Sequence, residues 1–203
     1  MKTSSKITAI AFILVVTAGL IWFLFAAFGK KNNLPVLGDP GHVAGNFSFI
    51  NQDGVLVTEK TVRNKVTVAE YFFTSCPGIC PVMNKNLEKL YDEFKDNQDF
   101  VILSHTVNPE KDSVSVMNRY AKHFNASAPN WQFLTGDKSA LYNAAINDYL
   151  LSVADSGSQT KAFIHTQYVA LLDKQRRIRG FYDATNNESM QKLGSDIRRL
   201  LKE

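Results

Sequence analysis

Hydrophobic and polar positions divide the chain into an uncharged stretch, a segment punctuated by glycine and proline, and a region of alternating strand and helix patterns. Ile7 to Phe28 carries no charge. Its 22 residues would span roughly 33 Å as a helix, enough for a bilayer core. Trp22 and Phe23 lie toward the far end, where aromatic rings suit a membrane interface. A cleaved signal peptide competes with this reading. Its apolar region is usually shorter and ends in a small-x-small site, for which Phe25-Ala26-Ala27-Phe28 is a poor match. A retained anchor over 7–28 is therefore expected, after a short cytoplasmic head at 1–6. Residues 29–45 contain Pro35, Gly38, Pro40, Gly41 and Gly45, and read as a tether.

From residue 46 the pattern becomes that of a folded domain. Asn46 to Ile50 alternates, Asp53-Gly54 is a turn signal, and Val55-Leu56-Val57 follows, which predicts a short hairpin. Lys65 to Phe73 is a mostly apolar, β-rich run of the kind that forms a buried strand. Met83, Leu87, Leu90, Tyr91 and Phe94 share one face of a helix running from about Pro81 to Lys95. Phe100 to Val107 predicts a second core strand. Asp112 or Ser113 can cap a helix through Phe124. Trp131 to Leu134 is a third strand, and Asp137 caps a helix holding Leu141, Ala144, Ala145 and Tyr149. Lys161 to Leu172 reads as a fourth strand and Arg177 to Tyr182 as a fifth, paired through the turn from Asp173 to Arg176. A last helix carries Met190, Leu193, Ile197 and Leu200. Strand–helix alternation gives parallel strands, and the closing hairpin adds an antiparallel edge. This α/β order over 46–203 resembles the thioredoxin fold, with an N-terminal β-hairpin extension and one transmembrane helix ahead of it.

Composition narrows the functional classes. The chain has 203 residues, and the part beyond the expected anchor, about 165, suffices for one domain with a full core. The net charge is +4 and the pI about 9.0. The basic residues are dispersed apart from Lys174 to Arg179 and Arg198-Arg199, which read as solvated charge, so no nucleic-acid partner is expected. An anchor that begins at residue 7 leaves no room for a mitochondrial transit peptide and argues for a bacterial protein. Lys2 and Lys6 precede the anchor and Lys30 and Lys31 follow it, so charge does not set its orientation. The plan resembles a signal anchor with the domain outside the cytoplasm.

The chemistry concentrates in two cysteines, Cys76 and Cys80, within Thr74-Ser75-Cys76-Pro77-Gly78-Ile79-Cys80-Pro81. In helical geometry positions i and i+4 share a face about 6 Å apart at Cα. That suits either a disulfide or convergence on one ion. Pro81 fits a first helical turn, which puts Cys80 near the helix start and Cys76 in the entry loop. Both sulfurs would then feel the positive end of the helix dipole, which favours thiolate. Gly78 lets the loop bend around a ligand. A purely structural disulfide closing so small a loop would stabilise little. Zinc wants about four ligands, whereas Cu(I) accepts two or three soft ones. A redox dithiol remains open, although the thioredoxin type spaces its cysteines as C-x-x-C. Four histidines could add an imidazole. His42 lies in the tether, and His123 sits on an exposed helix face. His105 ends the second core strand and could approach the cysteine loop, though a structural role suits it better. His165, at the start of the fourth strand, ranks first as a third ligand and His105 second.

Four segments carry a resemblance. They are Phe72-x-x-x-Cys76-Pro77-x-x-Cys80-Pro81, Thr106-Val107-Asn108-Pro109-Glu110-Lys111-Asp112, Trp131-x-Phe133-Leu134-Thr135-Gly136, and His165-Thr166 followed by Leu171-Leu172-Asp173. Together they resemble the Sco/SenC family of membrane-anchored, thioredoxin-like copper chaperones, over residues 45–201. The resemblance implies copper, Cu(I) or Cu(II), held by Cys76, Cys80 and His165. It implies delivery to the binuclear copper site of cytochrome c oxidase subunit II or to another cuproprotein, and a thiol reductant for the cysteine pair. It also implies a single-pass protein of the bacterial cytoplasmic (inner) membrane, its domain on the periplasmic or extracytoplasmic side. Two positions depart from the family pattern: Gly78, where an acidic residue is common, and Asn108, where aspartate is common. Each loses a negative charge and neither loses a ligand. The rival functions are a thiol–disulfide oxidoreductase that reduces the cysteines of a metal-site acceptor, and an interaction domain with no chemistry of its own. A peroxidase would want an arginine beside its thiolate, and none lies between Asn64 and Asn118.

Overall fold

Runs rich in β-branched and aromatic residues form the strands, and the apolar stripes at helical spacing form the helices. The computed structural model describes residues 13–20, 22, 34–151 and 166–203. In chain order the elements are β1 (Ser48–Asn51), β2 (Leu56–Thr58), β3 (Val66–Phe72), α1 (Ile79–Phe94), β4 (Phe100–Thr106), α2 (Val114–Lys122), β5 (Trp131–Thr135) and α3 (Lys138–Asn143). A π-helical turn (Ala144–Asp148) continues α3, and β6 (Tyr168–Leu172), β7 (Ile178–Asp183) and α4 (Asn187–Leu200) complete the unit. The strands make one sheet in the order β2-β1-β5-β4-β3-β6-β7. β3, β4 and β5 are parallel neighbours. The β6–β7 hairpin adds antiparallel strands beside β3, and β1 joins β5 antiparallel and carries β2. The expected thioredoxin-like α/β order with its N-terminal hairpin is what forms.

Strand parity sorts the core into two layers, because successive side chains point to opposite faces. On one face Val66, Val68 and Phe72 of β3 and Phe100 and Ile102 of β4 pack beneath Met83, Leu87 and Leu90 of α1 and Leu193 and Ile197 of α4. On the other, Ala69, Tyr71, Val101 and Leu103 pack against Leu141, Ala144 and Ala145. Cys76 and Cys80 belong to the first layer.

Three boundaries differ from expectation. Helix α1 begins at Ile79, so Pro81 is its third residue, where a missing N–H costs no intrahelical bond. Strand β6 begins at Tyr168, not at Lys161. The Thr166 hydroxyl accepts the Tyr168 N–H at 3.1 Å and turns the chain just ahead of the strand, and residues 161–165 lie outside the described ones. Of the two expected cap candidates for α2, Ser113 occupies the position, and the helix ends at Lys122, short of Phe124; the Asp112 carboxylate is drawn inward to Thr74 and Thr106.

The stretch 34–45, within the expected tether, packs on the domain. Leu34 and Ala44 are buried, and the Leu37 N–H bonds the Ile178 carbonyl at 2.9 Å. The buried Arg179 guanidinium donates to the carbonyls of Leu34 (2.7 Å) and Pro35 (3.0 Å) and to Asp173 (2.9 Å). The expected anchor, 7–28, falls largely outside the described residues. Of it, 13–20 and 22 are helical, with Leu14, Val15 and Trp22 exposed. Among the described residues no helix is long and apolar enough to cross a membrane.

Candidate metal centre

Where β3 ends, the chain turns sharply and enters α1, with Cys76 in that turn and Cys80 on the first turn of the helix. The Cys76 N–H closes on the Phe73 carbonyl at 3.1 Å, and Val107 N–H holds the Phe72 carbonyl at 2.9 Å. Gly78 occupies the cap position of α1 with φ −118° and ψ −104°, and it contributes no side-chain cap. The Cys76 sulfur takes that place. Backbone N–H groups of Gly78, Ile79 and Cys80 are directed at it, satisfying donors that a helix start otherwise leaves without partners. Cys80, one residue into the helix, is 1% exposed against 7% for Cys76. Both are buried thiols.

The two thiols are therefore electrostatically unequal. Burial pushes Cys76 up, but the Cys80 thiol and the three backbone N–H groups outweigh burial and hold it below the ordinary thiol range. Burial pushes Cys80 well above that range, and its hydrogen bond to Cys76 pushes the same way. The sequence predicted thiolate character for both sulfurs. The structure gives it to Cys76 and withholds it from Cys80, because the helix start can aim its N–H groups at a sulfur in the entry loop but not at one on its own first turn.

Beneath the pair lies a polar cluster inside the apolar layer. The Asn84 amide donates to the Cys80 carbonyl (3.0 Å) and to the Tyr120 hydroxyl (3.2 Å). Tyr120 stacks on Phe72 with ring centroids 5.3 Å apart. Glu70, fully buried on β3, accepts a hydrogen bond from the Ser104 hydroxyl. The Trp131 indole N–H donates to that same hydroxyl at 2.8 Å, which commits the Ser104 hydrogen to Glu70. Among the described residues the other carboxyl oxygen, Oε2, has no partner, and neither does Asn84 Oδ1. Burial, only partly offset by Ser104, raises the Glu70 carboxyl to about 7.

The histidines fall as follows. His105 is fully buried on the face of β4 opposite the cysteines, stacked on Tyr71 at 4.9 Å, with Nε2 3.4 Å from the Tyr149 hydroxyl and Nδ1 3.3 Å from the Glu70 carbonyl. Its second rank as a ligand is overturned: parity along β4 turns Ser104 and Thr106 toward the cysteine layer and His105 away. Burial also lowers its pKa to about 4. His42 Nε2 lies 3.0 Å from the Asp148 carbonyl, and His123 is exposed after α2. His165 lies outside the described residues. Among the described residues no group of three or more His, Cys, Asp or Glu is arranged to hold a metal ion.

Comparison with known proteins places the chain. The sequence profile described as SCO1/SenC matches residues 37–202. The chain belongs to the SCO1/SenC family. A SCO1 protein homolog of Bacillus subtilis is 29% identical over 185 residues, covering 90% of this chain and 93% of that one. The solved structure of BsSco, a Sco-family cytochrome c oxidase assembly protein in which a disulfide switch has been identified, aligns at 25% identity with a TM-score of 0.69, over 85% of this chain and 99% of that one. Arabidopsis thaliana ScoI, solved with copper bound, aligns at 28% identity with a TM-score of 0.59, over 77% of this chain and 99% of that one.

Within this SCO1/SenC domain, Glu70 and Asn84 went unnoticed in the sequence, and Tyr120 read only as one of a stripe with Val116 and Phe124 at helical spacing. Glu70 alone left a signal: it is the one carboxylate in the apolar run of β3, at the same parity as Val66, Val68 and Phe72. Two outcomes follow from the site. In the reduced protein, iodoacetamide should alkylate Cys76 before Cys80, read by peptide mass spectrometry, because only Cys76 combines a lowered pKa with some exposure. Equal labelling would contradict the inequality of the thiols. A Glu whose folded pKa is raised favours the fold while neutral, and that contribution is lost as pH rises through about 7. Glu70→Gln should therefore match the native protein near pH 4 and exceed it near pH 8 by about 3 kcal/mol in chemical denaturation. A gap that does not widen between the two pH values would contradict this.

Proposed function

We propose that this protein is a copper-carrying member of its family, held at the bacterial cytoplasmic membrane by residues 7–28, that delivers copper outside the cytoplasm to the binuclear copper site of cytochrome c oxidase or a related cuproprotein. Cys76 and Cys80 are the sulfur ligands and His165 the imidazole ligand. The observation that carries the reading is the convergence of both sulfurs at the start of α1, with Cys76 already held toward the thiolate by three backbone N–H groups. Thiolate donors favour Cu(I), and a shell of two or three ligands leaves the ion open to capture by a partner's thiols. Copper is cargo in this reading.

The placement of His165 draws support from sheet register. β6 pairs antiparallel with β3, Thr67 opposite Leu172 and Ala69 opposite Ala170. Moving back toward the start of β6 is moving forward toward the end of β3, where the cysteine turn begins. The residues just ahead of β6 thus enter the sheet at the cysteine end. Copper-bound Arabidopsis thaliana ScoI and the assembly role named for BsSco add family-level support.

A second reading, a thiol–disulfide oxidoreductase that reduces the cysteines of a metal-site acceptor, is favoured by the unequal thiols, a nucleophile beside a buried resolving thiol. It needs both cysteines and not His165. His165→Ala should weaken copper binding by at least about tenfold, the ratio set by 1.4 kcal/mol, in competition with a chromophoric chelator. Its dithiol exchange with glutathione should persist. Unchanged copper affinity would remove His165 from the ligand set and favour the exchange reading.

A further inference from the structure

Among the described residues, the Asp112 side chain fastens the turn that carries Cys76 to the rest of the domain. Asp112 is fully buried between β4 and α2. Its carboxylate accepts hydrogen bonds from the Thr74 N–H (3.2 Å), the Thr74 hydroxyl (2.5 Å) and the Thr106 hydroxyl. The Thr106 hydroxyl oxygen accepts from the Asn108 N–H at 2.9 Å, which leaves its hydrogen for Asp112. Thr74 stands two residues before Cys76, inside the turn closed by the Phe73 carbonyl and the Cys76 N–H. Three donors thus converge on one carboxylate, and two of them belong to the residue that aims the cysteine turn.

We propose that Asp112 is a positioning residue for Cys76: through Thr74 it fixes the turn, closed by the Cys76 N–H on the Phe73 carbonyl, that carries the Cys76 sulfur to the start of α1. The inference rests on the reading of the cysteine pair as the working site and names what holds its outer sulfur in place. The chemistry requires a carboxylate. Asparagine is nearly isosteric but presents an NH2 where an acceptor is needed, so at least one of the three donors loses its partner. A positioning group and a merely stabilising one differ in what they leave behind. Loss of stability alone would leave Cys76 the faster thiol in the molecules that remain folded, whereas loss of aim lowers the Cys76 lead in those same molecules.

The test is competitive alkylation of the reduced full chain with limiting iodoacetamide at neutral pH, the Cys76 to Cys80 labelling ratio being read by peptide mass spectrometry beside a thermal melt. Asp112→Asn and Thr74→Val should lower that ratio about tenfold, the scale of one charge-assisted hydrogen bond. Thr106→Val removes a hydroxyl from the same carboxylate without touching the cysteine turn. It should lower the melting temperature and change the ratio by less than about twofold, since it deletes no bond to the turn. An equal fall in all three variants, or an unchanged ratio in Thr74→Val, overturns the proposal. Should Asp112→Asn fail to fold, the two threonine variants decide it. The readout involves no metal. A native protein that binds no copper but whose Cys76 lead depends on Thr74 would refute the copper reading and leave this one standing.

Discussion

The site depends on one interaction, the meeting of the Cys76 sulfur with the open N–H groups at the start of α1. A helix start concentrates donors and partial positive charge, and some acceptor must answer them. Here the cap residue is a glycine with no side chain to offer, and a sulfur from the preceding turn answers. The same contact favours the thiolate and makes Cys76 the more reactive of the two thiols. It cannot extend to Cys80, which rides on the first turn itself and is buried by the packing of α1 on the sheet. One geometric fact therefore produces two unlike sulfurs side by side. That asymmetry suits ligand exchange and thiol exchange alike: one sulfur is held toward the thiolate, and the other is buried as a thiol.

The sheet supplies the rest by parity and register. β3 delivers the cysteine turn at its end and places Glu70 beneath it. β4 turns Ser104 and Thr106 toward that layer and sends His105 to the other side. The antiparallel pairing of β6 with β3 brings the start of β6 to the cysteine end. Glu70 is the costly element. A fully buried carboxyl with one oxygen lacking a partner among the described residues is tolerated in its neutral form, with its pKa raised to about 7.

Much of this was legible in the residues. The apolar runs and helical stripes named β3, α1 and β4 close to their true bounds and picked out the buried stripe of α4, and the paired cysteines with Pro81 located the chemistry. What escaped depends on facts that a linear pattern does not carry. The face chosen by His105 is set by counting along β4 from a residue known to be in the core, and an error of one reverses it. The different fates of Cys76 and Cys80 turn on a boundary shift of two residues at the start of α1. Asp112 and Ser113 both read as possible helix caps; Ser113 takes that position, and Asp112 is turned inward. Only the fold brings Thr74 and Thr106 near enough to claim it. The stretch 34–45 read as a tether by its glycines and prolines, yet Arg179 fastens its first residues to the domain.

The most direct test of the copper account is the X-ray absorption spectrum of the reduced protein loaded with one equivalent of Cu(I). The account predicts a first shell of two sulfurs and one imidazole nitrogen per copper. A shell of sulfur alone, or copper scattered over oxygen and nitrogen donors with no sulfur, would contradict it.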